Sequence, residues 1–262
     1  MKRDYRMPNI AAAAALAFFL AAPVKAFDQS HASLDKVVKR HLRSGLLDYK
    51  GLKAAPGPLE DYLKELAAVA PSEYEAWPRA EKVAFWINAY NAFTIKAILD
   101  NYPIKSGWKA SLRYPKNSIR QIPGVWDGLK FKVMGRELIL NDIEHKILRK
   151  EFGEARAHMA LVCASLGCPP LRAEAYTGRA LDAQLDDQTR RFLADPAKFR
   201  IDRAAGKVYL SPIFKWFSGD FKPDAPAFIS RYLDEAGRVY LKEGKFKLSY
   251  LDYDWSLNES RR

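Results

Sequence analysis

Cysteine is scarce in this chain of 262 residues, which contains only two. Two cysteines cannot build a disulfide-rich scaffold, and a chain of this length does not need one to form a core. The sequence also lacks the HExxH and CxxC patterns of zinc sites, the GxSxG of serine hydrolases, and the glycine-rich loops of nucleotide-binding folds. We therefore expect no metal and no cofactor.

Long apolar runs are absent except near the N-terminus. The segment IAAAAALAFFLAA occupies 10–22, follows a basic start, and leads into VKA, which ends before Phe27. This pattern is typical of a secretory signal peptide over 1–26, and the run is shorter than the roughly 20 residues that span a bilayer. We expect a mature chain of 27–262 that is periplasmic or secreted and has no transmembrane segment after cleavage.

Acidic residues are outnumbered, since Lys and Arg total 43 and Asp and Glu total 31, for a net charge of +12. A basic balance is often associated with nucleic-acid binding, but export excludes nucleic acid as the expected partner. The remaining interpretations are binding to anionic envelope material, such as phosphate-bearing lipid or acidic glycan, and a solvated basic surface without a partner.

The segment from Trp77 to about Leu99 predicts a helix that is apolar on all sides and therefore buried. Asn88 and Asn91 lie within it, one turn apart. Burying an amide without partners costs roughly 1–3 kcal/mol, so both side chains should be hydrogen-bonded. They either tie the helix to neighbouring backbone or line a site.

The remaining elements alternate without regular βαβ spacing. We predict an α+β fold in a single domain over 27–262, with the buried central helix packed on a small mixed or antiparallel sheet. Helical spacing is present at 34–47, 58–70, 142–148, 180–193 and 224–235, and strand patterns at 129–140 (a hairpin), 158–164, 200–202, 207–210 and 245–253.

The segment HMALVCASLGCPP contains the side chains best suited to act as a nucleophile or a base, which are His158, Cys163 and Cys168. A thiol nucleophile needs a histidine within hydrogen-bond reach and a third group that orients it, and Glu144, Asn88 or Asn91 could be that group. In a regular strand, residues 158 and 163 face opposite ways, so they meet only if Cys163 lies beyond the strand end or in a bulge. Glu144 also has a structural alternative, a capping interaction at the helix start near Asn141.

A second interpretation pairs the two thiols. In an oxidising compartment, nearby cysteines usually form a bond, so a structural Cys163–Cys168 disulfide would hold the SLG loop and remove the nucleophile. A third interpretation is thiol–disulfide exchange, although CxxxxC is not the usual redox spacing.

Five segments in order, AFWINAYNAFTIKAIL, NDIEHKILR, HMALVCASLGCPPL, LSPIFKWFSGDF and YDWSLN, resemble the bacterial branch of the domain-of-unknown-function family 547. The resemblance covers about 48–258 and implies a fold and a site position rather than a reaction. Its motif positions in this chain are Trp86, Asn88, Tyr90, Asn91, Glu144, His158, Cys163, Cys168, Pro169, Trp216, Asp220, Phe221, Tyr253 and Trp255.

The expected function is therefore an exported protein of unassigned activity. If it is an enzyme, we expect a thiol-dependent hydrolase or acyltransferase acting on an amide or ester. Its candidate catalytic residues are Cys163, His158, Glu144 and Asn88, and its candidate binding residues are Asn91, Tyr90, Trp216 and Asp220. The alternative is a non-catalytic envelope binding protein with a Cys163–Cys168 disulfide.

Overall fold

The computed structural model of the protein describes residues 26–260. The predicted signal peptide over 1–26 lies outside them except for Ala26. Helices dominate the described residues. The α-helices are α1 (Ala32–His41), α2 (Tyr49–Ala54), α3 (Gly57–Ala68), α4 (Pro71–Glu75), α5 (Arg79–Asn101), α6 (Trp108–Ser111), α7 (Leu181–Ala194), α8 (Ile213–Trp216), α9 (Ala225–Ser230) and α10 (Glu235–Glu243).

Tighter and wider helical turns complete the set. A π-helix spans Asp142–Glu151, where the amide of Phe152 bonds the carbonyl of Ile147. The 3₁₀ turns are Ile119–Gln121, Ala155–Met159, Gly178–Ala180 and Ser218–Asp220.

The strands are short and form small sheets. The strands are β1 (Leu42–Arg43), β2 (Leu46–Leu47), β3 (Phe131–Val133), β4 (Arg136–Leu138), β5 (Phe199–Asp202), β6 (Lys207–Leu210) and β7 (Lys247–Tyr250). Two antiparallel hairpins are β1 with β2 and β3 with β4, and a three-stranded mixed sheet has the order β5-β6-β7, with β5 antiparallel and β7 parallel to β6. The predicted α+β class is confirmed.

The central helix α5 is buried along most of its length, as its sequence predicted. It packs on the β3–β4 hairpin, where the rings of Phe93 and Phe131 stack with centroids 4.7 Å apart. The hairpin turns at Met134 and Gly135, both with positive φ, which matches the right-handed twist of the flanking strands.

Two hydrophobic clusters divide the interior. The larger one surrounds α5 and includes α1, α3 and the π-helix, and the smaller one joins α7, α8 and α9 to the mixed sheet. Neighbouring residues of one 3₁₀ turn belong to different clusters, Ala157 to the larger and Met159 to the smaller, while Tyr253 packs against both. The chain between Ala157 and Met159 therefore lies at the seam between the clusters.

Asn88 and Asn91 tie α5 to two segments that belong to no helix or strand. The Asn88 amide donates to the carbonyl of Tyr176 (2.7 Å) and accepts from its N–H (3.0 Å). Asn91 donates to the carbonyl of Ala160 (3.0 Å) and accepts from the N–H of Val162 (2.9 Å). Both side chains are buried, at 1% and 3% exposure, so the prediction that they are buried and hydrogen-bonded is confirmed.

The strand predicted over 158–164 is wrong. His158 belongs to the 3₁₀ turn Ala155–Met159, and the irregular segment that follows bonds at Ala160 and Val162 to the Asn91 side chain rather than to a neighbouring strand. A short apolar run is buried in either conformation, so its hydrophobicity cannot tell a strand from a tightly packed turn.

Two predicted helices have different limits. The helix over 34–47 ends at His41, where the chain turns through Ser44 and Gly45, both with positive φ, into the β1–β2 hairpin. The helix predicted over 224–235 ends at Ser230, and a separate helix, α10, begins at Glu235, where Asp234 caps it by accepting from the N–H of Gly237 at 2.7 Å.

The chain at Phe27 is anchored. Its ring lies 5.5 Å from that of Trp77 and 5.4 Å from that of Phe85, and its backbone N–H donates to Oε1 of Glu73 at 2.7 Å. Within residues 26–260, no helix combines the length and the hydropathy required to cross a bilayer.

We expect Asn88→Leu to lower the free energy of unfolding by about 1–3 kcal/mol, because the buried N–H and carbonyl of Tyr176 both lose their partner. Urea unfolding measures the change. Asn101→Leu, at the exposed end of the same helix, is the control and should cost about 0.5 kcal/mol or less. Equal midpoints for wild type and Asn88→Leu would show that the clamp, the pair of hydrogen bonds from Asn88 to Tyr176, contributes nothing to stability.

Candidate functional site

A cavity of about 190 Å³ opens at the seam between the two hydrophobic clusters. Its wall combines aromatic rings, two histidines, one carboxylate, one guanidinium and the cysteine pair. The lining residues are Tyr90, Arg120, Trp126, Asn141, Glu144, His145, His158, Leu161, Cys163, Cys168, Pro169, Ile213, Trp216, Phe217, Tyr253 and Trp255.

His158 is buried and held on two sides. Its ring stacks on Phe217 with centroids 4.1 Å apart, and its Nε2 lies 2.7 Å from Oδ2 of Asp220. Because the Asp220 carboxylate can only accept, Nε2 of His158 is the donor of this hydrogen bond. Asp220 is thus the group that orients His158.

Asp220 belongs to a longer charge network. Arg149 of the π-helix donates through Nη2 to Oδ1 of Asp220 at 3.2 Å, and its Nε contacts Oδ2 of the same carboxylate. Nη1 of Arg149 lies 2.8 Å from Nδ1 of His145. The hydrogen bond from His158, reinforced by Arg149, holds the pKa of Asp220 well below its usual range, against the opposing effect of partial burial.

Glu144 faces the cavity from the π-helix. Its Oε2 accepts a hydrogen bond from the hydroxyl of Tyr90 on α5 at 3.1 Å. Burial, and then the neighbouring carboxylate, raise the pKa of Tyr90 well above its usual range, so the phenol stays protonated and remains a donor. The capping role considered for Glu144 is wrong, because the helix start at Asn141 has no side-chain cap.

Cys163 and Cys168 are joined by a disulfide, and both line the cavity. The hydroxyl of Tyr253 lies 3.1 Å from the sulfur of Cys163 and 3.2 Å from that of Cys168. Burial raises the pKa of Tyr253, so this hydroxyl is also a permanent donor. Ala164, within the closed ring, has the left-handed φ of 53° that L residues seldom adopt.

The loop inside the disulfide is fastened to the C-terminal segment. Leu166 donates to the carbonyl of Ser256, and Gly167 donates to the carbonyl of Asp254, both at 2.8 Å. A Cβ at Gly167 would lie 2.9 Å from the ring of Tyr253 and 3.0 Å from the backbone of Asp254, so only glycine permits this approach.

Aromatic rings and Arg120 form the outer wall. The indoles of Trp216 and Trp255 stack at 6.0 Å, and Trp216 is half exposed at the rim. The Arg120 guanidinium lies 5.3 Å from the ring centre of Trp126, 5.0 Å from that of Trp255 and 4.6 Å from that of Tyr114. Its Nη2 also donates to the Tyr114 hydroxyl at 2.7 Å, so the cation is held in place.

One comparison with known proteins gave a match. Residues 74–193 match the family described as "Protein of unknown function, DUF547". The match supports the resemblance seen in the motifs and contains Tyr90, Glu144, His158 and both cysteines. Comparison with curated proteins and with solved structures gave no match.

The cavity extends beyond the part of the chain that matches DUF547. Phe217 and Asp220, which hold His158, and the aromatic residues Tyr253 and Trp255 all follow residue 193. Residues outside the matched segment therefore complete the wall.

The structure brings together many of the predicted site residues. Tyr90, Glu144, His158, Cys163 and Trp216 share the cavity, and Asp220 lies directly behind His158. Asn88 and Asn91 do not line it, because their amides are bonded to the backbone of Tyr176 and of Ala160 and Val162.

Sequence reasoning missed Arg120, Trp126, His145 and Arg149. Arg120 and Trp126 lie in the long irregular segment 104–128, and a connection of that length is itself a signal of function.

We expect Asp220→Asn to lower the free energy of unfolding at pH 7 by about 1–3 kcal/mol, because the three hydrogen bonds from Arg149 and His158 would then end on a neutral acceptor. The pKa of Asp220 is lower in the folded chain than its unfolded value of about 3.9. Its contribution is therefore complete at neutral pH and is lost as the pH falls through the folded pKa. Urea unfolding should show the gap between wild type and variant narrowing below about pH 4. The exposed Asp252→Asn is the control, and a gap that widens with acid would contradict the assignment.

Proposed function

We propose that this chain is an exported bacterial protein that binds a small ligand, with a ring and an anionic group, in the cavity at the cluster seam. The observation that carries the proposal is an aromatic-walled cavity in which the sulfurs of Cys163 and Cys168 are bonded to each other, beside a fixed cation at Arg120. Concave, mostly apolar sites with a few placed polar groups are the usual form of small-molecule sites.

Each part of the wall suits one part of such a ligand. The rings of Trp126, Trp216 and Trp255 offer flat faces for a ring to pack against. Arg120 needs no rearrangement to accept a carboxylate or phosphate, because Tyr114 and the indoles already hold it. Glu144 can accept a hydrogen bond from a hydroxyl or amide group of the ligand, as it does from the hydroxyl of Tyr90.

An acidic sugar meets all three requirements. The C–H face of a sugar ring is apolar and packs on indole, its hydroxyls donate to Glu144, and its acid group pairs with Arg120. Such sugars occur in the anionic glycans that the basic charge and the expected export suggested.

The test is a tryptophan-fluorescence titration with a uronic-acid oligosaccharide and with the same oligosaccharide after reduction of its carboxyl groups to neutral alcohols. We expect the acidic form to bind at least about tenfold more tightly, since a charge-assisted hydrogen bond contributes roughly 1.5–3 kcal/mol. Arg120→Gln should remove this difference while leaving binding of the neutral form almost unchanged.

Arg136→Gln is the matched control, because Arg136 is an exposed arginine on β4 and does not line the cavity. It should keep the preference for the acidic form. Equal affinity for both forms, or equal loss in Arg120→Gln and Arg136→Gln, would refute the anionic ligand. No binding by either form would refute the sugar.

A second candidate function is thiol-dependent hydrolysis or acyl transfer on an amide or ester. The specific observation in its favour is the 2.7 Å bond from His158 to Asp220, in the same cavity as Cys163. A base oriented by a carboxylate is the partner that a thiol nucleophile requires. In the disulfide form that nucleophile is absent, so reduction by a dithiol would have to precede any turnover.

The Cys168→Ser variant tests this second candidate, since it leaves Cys163 as the remaining thiol. If Cys163 is a nucleophile, iodoacetamide alkylation should show an apparent pKa well below the unperturbed value of about 8.5. His158→Ala in the same background should return the pKa to that value. Cys163→Ser, which keeps Cys168 instead, is the control and should react slowly because Cys168 is buried. An apparent pKa above 8 that ignores His158→Ala would exclude the thiol mechanism.

A further inference from the structure

A stretch without acidic residues precedes the cavity wall. Between Asp100 and Asp127 the sequence contains no Asp or Glu. The basic residues of this stretch are Lys105, Lys109, Arg113, Lys116 and Arg120. The chain as a whole has scattered charges, so this stretch is a local concentration of positive charge.

The same stretch exposes two large apolar side chains. Trp108 is 74% exposed and Leu112 is 78% exposed, the highest values for large hydrophobic residues in the described part of the chain. They lie four residues apart, at α6 and its C-terminal end, and therefore share one face of that turn. Lys109 lies beside them, with Nζ 5.6 Å from the Trp108 ring centre.

The exposure is imposed by the fold. The buried Gln121 side chain accepts from the N–H of Gly107 at 2.9 Å. Its Nε2 donates to the carbonyl of Pro115 at 3.0 Å and to Oγ of Ser111 at 3.3 Å. The Gln121 amide thus bonds to the chain before and after α6, and the side chains of Trp108 and Leu112 remain exposed to solvent.

We propose that residues 105–116, here called the docking loop, insert Trp108 and Leu112 into the headgroup region of an anionic lipid membrane. An indole beside lysines is the side-chain set that membrane interfaces favour, since the ring reaches the acyl boundary while the cations meet lipid phosphates. Charge complementarity selects the occupant, because residues 105–116 contain four Lys or Arg and no Asp or Glu.

The docking loop also borders the cavity. Tyr114, near its end, holds Arg120, and the rings of Tyr114 and Trp255 are 5.8 Å apart. Docking would place the cavity wall at the membrane surface. The proposal stands independently of which ligand the cavity takes.

The test is co-sedimentation with phosphatidylcholine vesicles, with and without phosphatidylglycerol. It uses the chain from Phe27, because both hydrophobic clusters and the residues packed on them lie between Phe27 and Leu257. We expect binding to the anionic vesicles that weakens as salt rises. Lys105→Gln with Lys109→Gln should lower the partition coefficient about 25-fold, or about fivefold for each charge.

The apolar part of the contact is tested by Trp108→Ala with Leu112→Ala, which should lower partitioning by about tenfold or more. The matched control is Leu248→Ala with Tyr250→Ala, which removes exposed apolar side chains of β7 near Lys245 and Lys247. The control should change partitioning less than about twofold. All these side chains are exposed, so urea midpoints should match wild type and verify folding.

Trp108 also provides a direct signal. Its fluorescence should shift to shorter wavelength when anionic vesicles are added, and Trp108→Phe should lose most of that shift while it keeps most of the binding.

Several results would overturn the proposal. Binding that is unchanged in the Trp108/Leu112 variant would mean charge attraction without insertion. Equal loss in the β7 control would place the contact elsewhere. Failure to bind anionic vesicles, or a dimer in sedimentation velocity that only the Trp108/Leu112 variant dissociates, would assign the surface to solvent or to a second copy of the chain.

Discussion

The fold depends on the two asparagine clamps of α5. A buried helix with apolar side chains on every side can pack against its neighbours. Packing alone, however, does not fix where along the helix an irregular segment without a strand partner lies. Asn88 and Asn91 supply that register, because each gives one acceptor and one donor to the backbone of a passing segment. An amide presents the same pair of groups as an adjacent β-strand would, so the clamps replace two short ladders.

The second clamp determines where the site lies. Asn91 holds the chain at Ala160 and Val162, immediately between His158 and Cys163. His158 then meets Phe217 and Asp220 from the smaller cluster, while Cys163 remains beside the larger one. The cavity is therefore a consequence of one segment that is fixed at its middle and serves both cores. Its polar groups come from elements far apart in sequence, as ligand sites between packed units commonly do.

Much of this could be predicted from the sequence, for identifiable reasons. The burial of α5 follows from its lack of a polar face, and the pairing of its asparagines follows from the energetic cost of an unpaired amide. The grouping of Glu144, His158 and Cys163 came from chemistry and from motif resemblance together. The position of Asp220 behind His158 could not be derived, because it depends on how two clusters meet across 62 positions of the chain.

The spacing of apolar residues along the sequence does not predict the other features. The sequence at His158 predicts a strand where the structure has a 3₁₀ turn. Burial on all sides removes the alternation of apolar and polar residues that would distinguish a strand from a turn. The hold on Arg120 depends on three rings from separate segments, and the exposure of Trp108 depends on the reach of Gln121. The sequence around Arg120 or Trp108 does not show which distant side chains reach it.

The contacts of Phe27 give a physical meaning to the cleavage position that the sequence predicts. The nitrogen that donates to Glu73 at 2.7 Å is a neutral amide while the chain continues before it. A cut before Phe27 would convert that same nitrogen into a charged ammonium group that already faces a carboxylate. Processing one residue later would instead remove the Phe27 ring from its contacts with Trp77 and Phe85. Of these two positions, only a cut before Phe27 would leave both the charged contact with Glu73 and the aromatic contacts in place.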